Sequence, residues 1–102
     1  MQSYRVSTSP QAESYLQELH DYIAADSPIN ASRMVGRILK AIQSLKLFPH
    51  RTVVRPQRSI WPHRVRSLAV KPYIIFFWIV ESEKLVYVLM IRHGARQRPK
   101  HF

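Results

Sequence analysis

The chain has no cysteine. Disulfides and thiolate metal sites are therefore excluded, and a reducing, cytoplasmic setting is expected. Glycine is almost as scarce. Gly36 and Gly94 are the only two, too few for a glycine-rich phosphate loop. No apolar run is long: Tyr73 to Val80 is the longest at eight residues, against the ~20 a membrane helix needs. The opening "MQSYRVSTSP" carries no apolar signal core, so no membrane association is expected. Acids number only six, and no two are placed as a pair for acid–base work. The histidines, at 20, 50, 63, 93 and 101, show no metal-ligand spacing. Ser–His–Asp catalysis has no local signature. Neither a metal nor a cofactor is expected.

What the sequence does have is positive charge. Sixteen Lys and Arg against six Asp and Glu give +10 over 102 residues. The acids are confined to Glu13, Glu18, Asp21, Asp26, Glu81 and Glu83, and none interrupts the stretch from Ser27 to Val80. A one-signed field of this extent favours polyanionic partners: nucleic acid, an acidic protein, or an enzyme bound to DNA. With 46% hydrophobic residues and 11% aromatics, the chain is globular, and its length fits one domain over residues 1–102.

Local patterns order the elements. "SYRVS" alternates and reads as a short first strand. Ser9-Pro10 and Ser27-Pro28 each place a capping side chain before a proline at the first helical position. Apolar stripes follow both: Ala12, Tyr15, Leu16, Leu19, Tyr22 and Ile23, then Ala31, Met34, Val35, Ile38, Leu39, Ile42 and Leu45. Pro49 closes the second. Gly36, mid-helix, is expected to permit close packing. The short junction predicts an antiparallel helical hairpin. Pro49 to Arg64 is rich in proline and arginine and reads as a surface loop. Three strands follow, at roughly 64–70, 73–80 and 85–93, with connections short enough for an antiparallel meander. The prediction is an α+β fold, β-α-α-β-β-β, with the hairpin packed on one face of a mainly antiparallel sheet. Leu16, Leu19, Ile23, Val35, Ile38, Ile42, Leu68, Phe76 and Val88 are expected in the core.

The last strands are apolar on both faces. Tyr73, Ile75, Phe77 and Ile79 alternate with Ile74, Phe76, Trp78 and Val80. The helices cover one face only, so a partner, a tail, a dimer mate or the loop 49–64 must cover the other. The chemistry left is that of Arg, His and Tyr. These suit metal-free RNA cleavage, in which a base takes the 2′-hydroxyl proton and guanidiniums stabilise the charged phosphorus centre. Candidates are Arg66, Arg92, His93, Arg96 and Tyr73, with His63 nearby.

Three segments also carry a resemblance: "YIAADSPINASRMVGRILKAIQSLKLFP", "RVRSLAVKPYIIFFWIV" and "VYVLMIRHGARQRP". They resemble the ParE branch of the RelE/ParE toxin superfamily. The shared pattern is Tyr22-Ile23-Ala24; then Arg66, Leu68, Val70 and Tyr73; then Arg92, His93, Gly94 and Arg96. The resemblance implies a toxin of a type II toxin–antitoxin module, with growth arrest and plasmid stabilisation as its setting. Its partner would be an acidic, ParD-like antitoxin in a hetero-oligomer, and its target DNA gyrase, held in the DNA-cleaved state. RelE-like relatives instead cut mRNA on the ribosome. Arg96 matches one of their catalytic arginines. Phe102 stands where they have a tyrosine and Ile74 where they have a second arginine, which favours the gyrase reading. Target contacts are then expected at Arg92, His93, Arg96 and Arg98, displayed by a sharp, positive-φ turn at Gly94. Antitoxin contacts are expected at Phe77, Trp78, Tyr87 and Arg66. If the chain is a ribonuclease, Arg66, His93 and Arg96 are its catalytic candidates. A non-catalytic nucleic-acid-binding module is the third reading.

Overall fold

A computed structural model describes residues 3–56 and 63–94. The element order is β1 (Arg5–Thr8), α1 (Pro10–Ala24), α2 (Pro28–Ser44), β2 (Val53–Val54), β3 (Arg66–Val70), β4 (Tyr73–Val80) and β5 (Leu85–His93). Both Ser-Pro junctions are helix starts. Ser9 Oγ accepts from the Ala12 amide at 3.0 Å and donates to the Leu89 carbonyl at 2.7 Å, so one hydroxyl caps α1 and fastens it to the sheet. Ser27 Oγ accepts from the Asn30 amide at 3.2 Å. These contacts satisfy amide donors that a helix cannot pair internally.

The five strands form one sheet in the order β1-β5-β4-β3-β2. β1 runs parallel to β5, and every other neighbour is antiparallel. The loop expected over 49–64 is thus not wholly irregular. It holds a short 3-10 turn at Pro49–Arg51 and the two-residue edge strand β2. The hairpin packs on one face, burying Leu19, Ile38, Ile42 and Leu45 against Val70, Tyr73, Ile75, Phe77, Val86, Val88 and Ile91. Of the expected core, Leu19, Ile38, Ile42, Phe76 and Val88 are buried. Leu16, Ile23, Val35 and Leu68 are half-buried. Tyr22 and Leu39, both assigned to helical stripes, face solvent.

A bulge in β5 sets which side chain faces which way. Phe76 pairs with Met90 and Phe77 with Val88, leaving Leu89 as the extra residue. Val86, Val88 and Ile91 then belong to the helix side, while Tyr87, Leu89 and Met90 belong to a second cluster with Phe76 and Val65. Because side chains alternate along a strand, the extra residue exchanges the faces of everything after it. Arg92, opposite Ile74, goes to the second face; His93, opposite Tyr73, goes to the helix face.

Gly36 does not serve close packing. A Cβ built on it meets nothing within 4 Å. Gly36→Ala is therefore expected to stabilise the domain by about 0.5–1 kcal/mol, the usual helix-propensity gain. A thermal melt that is unchanged or lower would contradict this. Gly94 differs from expectation too: its φ is not positive. Its amide donates to the Pro72 carbonyl at 2.7 Å, and a Cβ there would stand 3.3 Å from both that carbonyl oxygen and Ile74 Cδ1. Glycine is used here for close approach, not for a left-handed turn.

A polar cluster fastens β1 to the β4–β5 turn. Tyr4 Oη donates to Glu81 Oε2 at 2.7 Å, and Lys84 Nζ donates to the same oxygen at 2.9 Å. His50 Nε2 lies 3.4 Å from Oε1. The Lys84 bond, then the Tyr4 bond, holds the Glu81 carboxyl below its usual range; the bond to Glu81 raises Lys84. A carboxyl lowered on folding contributes stability above its unfolded pKa, and loses it as pH falls through the folded one. Glu81→Gln should therefore flatten the acid side of the stability profile between about pH 5 and 3, as read from urea midpoints. An acid side as steep as that of the unsubstituted chain would show that Glu81 is not involved.

Candidate functional site

β5 delivers its last charged residues to two separate places. On the second face, the Arg92 guanidinium stands over the Phe76 ring at 5.1 Å, and the Arg55 guanidinium lies 5.6 Å from the same ring. Arg55 Nη1 also reaches Ser67 Oγ at 3.5 Å. Arg64 shares a surface hollow with Val54, Arg55 and Pro56. Neither Arg55 nor Arg64 meets a carboxylate among the described residues. Guanidiniums brought together on an aromatic platform form a surface for carboxylate or phosphate.

The same face carries Trp78 and Tyr87, half-buried, with ring centroids 6.1 Å apart. The His63 ring meets Trp78 edge-on at 5.1 Å. Arg55 and His63 both come from the loop after α2, so the loop contributes directly to this face. Val65, Phe76 and Leu89 are buried there, and Ile74 and Met90 are half-buried.

On the helix face, His93 meets the Tyr73 ring edge-on at 5.2 Å. The pair lines a cleft of about 610 Å³ with Tyr15, Glu18, Leu19 and Tyr22. The four α1 residues sit at helical spacing, so one face of that helix supplies them all.

Two sequence expectations require correction. Phe77 is fully buried against the helices, because its alternation places it on the covered side; it is not a surface for an antitoxin. Arg66 is also on that side, opposite Phe77. Its Nη1 donates to the carbonyls of His50 at 3.2 Å and Thr52 at 3.0 Å, which makes it a strut for the loop. Arg66 and His93 are not brought together either. They pair with Phe77 and Tyr73 respectively, positions four residues apart on β4, or ~13 Å. Arg96, Arg98 and Phe102 lie outside the described residues. Among the described residues, no group of three or more His, Cys, Asp or Glu is placed to hold a metal, and no helix is long and apolar enough to cross a membrane.

Arg55, Arg64 and Glu18 were not singled out from the sequence, and Tyr15 and Tyr22 were assigned to the helical stripe, Tyr22 also to the family pattern, without a place in a site. The arginines had one local signal, their place in the acid-free stretch. Of the α1 residues, Tyr22 had its place in the family pattern and the others had none, since a tyrosine at helical spacing looks like core.

Comparison with known proteins places this geometry among toxins. Residues 6–98 match the model of the family described as ParE toxin of type II toxin–antitoxin system, parDE. Toxin RelE2 of Caulobacter vibrioides is 34% identical over 82 residues, covering 79% of this chain and 84% of the relative. In structure, the chain resembles the chromosomal ParDE system from P. aeruginosa, with a TM-score of 0.71 at 22% identity over 89% of this chain and 96% of that one. It also resembles the toxin–antitoxin complex RelBE2 from Mycobacterium tuberculosis, with a TM-score of 0.67 at 23% identity over 94% and 97% of the two chains. At these identities the structural likeness concerns the fold.

Proposed function

The chain belongs to the ParE toxin family of type II toxin–antitoxin systems, and we propose that it arrests growth by holding DNA gyrase in its DNA-cleaved state. The observation that carries this reading is at position 74. The superfamily resemblance puts an arginine there in RNA-cutting relatives. Here it is Ile74, half-buried in the apolar cluster of the second face, and the arginines nearby serve as contacts on a platform. Arg55 and Arg92, set over Phe76, are the pair we assign to gripping an acidic or phosphate-bearing surface of the gyrase–DNA complex. Trp78 and Tyr87 supply flat apolar area beside them.

The neutralising partner is proposed to be an antitoxin segment that is acidic overall. Its charge answers the +10 of the toxin and speeds the encounter. Trp78 and Tyr87 remain its proposed anchors.

The second reading is ribosome-dependent mRNA cleavage. The RelE name of the 34% identical relative favours it. Against it stand Ile74, Phe102 in the place of a tyrosine, and the separation of Arg66 from His93. A missing proton donor alone costs roughly 10²–10⁴ in rate. Controlled expression in a bacterial host separates the two. Double-strand DNA breaks and an SOS-type response, with full-length mRNA, are expected. Rapid mRNA fragmentation with undamaged DNA would overturn the gyrase reading.

A further inference from the structure

The cleft beside His93 has a chemistry unlike the rest of the molecule. Among the described residues its lining is three tyrosines (Tyr15, Tyr22 and Tyr73), one carboxylate (Glu18), Leu19 and His93, with no Lys or Arg. The helix that supplies most of it is also the acidic element of a basic chain. α1 carries Glu13, Glu18 and Asp21 and no Lys or Arg, whereas α2 carries Arg33, Arg37 and Lys40 and no acid. Sixteen Lys and Arg are available in the chain. Even so, the ion pairs among the described residues are His20–Asp21, His50–Glu81 and Lys84–Glu81. Among the described residues, no Lys or Arg answers a carboxylate of α1. Glu18 has neither an ion pair nor a side-chain hydrogen bond among the described residues, and Tyr22 stands 76% exposed at the rim.

We propose that this cleft is a receptor for an arginine side chain of a protein partner. A guanidinium stacks flat on tyrosine faces by cation–π attraction and presents paired N–H donors to one carboxylate. Tyr22 and Glu18, exposed at the rim, supply both requirements at one cavity, and its size suits the side chain with the backbone that carries it. Lysine fits less well, because a compact ammonium neither stacks nor forks. A nucleotide fits worse, since its phosphate would enter beside Glu18. The partner that answers the basic surface is then not uniformly acidic: it places one arginine on α1 while its acids meet the rest. The site draws on the toxin reading only in taking its occupant from a protein, and free arginine as the probe keeps failure of the site distinct from failure of the gyrase reading.

The test is an NMR titration of the isotope-labelled chain with N-acetyl-arginine amide, beside N-acetyl-lysine amide, N-acetyl-glutamine amide and GMP. Arginine should shift the signals of Tyr15, Glu18, Tyr22 and His93, with millimolar affinity, and lysine should do so more weakly. Tyr22→Leu should weaken arginine binding about two- to fivefold, the usual share of an exposed cation–π contact. Glu18→Gln should weaken it about tenfold or more, as expected for a hydrogen bond to a charged group. Glu13→Gln, on the same helix but outside the cleft, should leave it unchanged. Both cleft substitutions are at exposed positions, and unshifted signals elsewhere verify the fold. Equal binding of the glutamine amide, equal affinity in Glu18→Gln, or displacement of these signals by GMP instead of arginine would each overturn the assignment.

Discussion

Phe77→Ala is expected to remove about 3–5 kcal/mol, a third or more of the stability of a domain stable by roughly 10 kcal/mol. Among the described residues Phe77 is the largest fully buried side chain, at 0% exposure, and it sits on the central strand β4 between β3 and β5. Its ring fills the layer between sheet and helices, where Leu19, Ile38, Ile42 and Leu45 converge. Removing a buried phenylalanine ring costs about 3–5 kcal/mol through lost transfer energy and the cavity left behind. Domains of this size are stable by roughly 5–15 kcal/mol, and a chain this short has little second core to draw on. Urea unfolding should show the midpoint fall. The contrast is Trp78→Ala, next in sequence but half-buried on the other face, which should cost clearly less. Equal losses at the two positions would mean that the faces have been assigned wrongly.

Removing both guanidiniums from the Phe76 platform should all but abolish toxicity while the fold persists. Arg55→Ala with Arg92→Ala takes away two donors on one ring. Each hydrogen bond from a charged group contributes about 1.5–3 kcal/mol to a desolvated contact. Losing two should lower affinity for the target by roughly 10²-fold or more. To the fold itself, each cation–π contact contributes only about 0.5–1 kcal/mol. The double variant should therefore be expressed, melt cooperatively, and no longer arrest growth. Arg92→Lys should restore activity in part, since the charge returns without the planar fork. Full toxicity in a folded double variant would remove this face from the mechanism.

The local signals in the sequence carried the fold a long way, and their reach shows why they stopped. Ser9-Pro10 and Ser27-Pro28 mark helix starts because capping is chemistry between neighbours in the chain. The strands at 73–80 and 85–93 were legible to the residue, since β-branched and aromatic runs bounded by turns have few alternatives. The partner of β1 was not legible: a parallel pairing with β5 depends on how the hairpin crosses the sheet. The bulge at Leu89 was invisible too, and it had the largest consequence. Without it, strict alternation would place Arg92 on the helix side and His93 on the other. One unpaired residue exchanges them, and with them the meaning of "IRHG". Phe77 was misjudged for a related reason. When both faces of a strand are apolar, composition does not say which is covered. Arg66 looked functional as a charge on a strand, and its partners are carbonyls 14 and 16 residues away, contacts made only by tertiary folding. The cleft on α1 was hidden because Tyr15 and Tyr22 obey the same helical period as the core.

The most direct measurement is a supercoiling assay with purified gyrase, relaxed plasmid and ATP, run beside translating ribosomes programmed with a defined mRNA. Added toxin should stop supercoiling and accumulate linear plasmid released from the gyrase-cleaved state, and the Arg55→Ala, Arg92→Ala double variant should do neither. The mRNA should remain full length at the same toxin concentration. Unimpaired supercoiling together with toxin-dependent cleavage of the ribosome-bound mRNA would contradict the account.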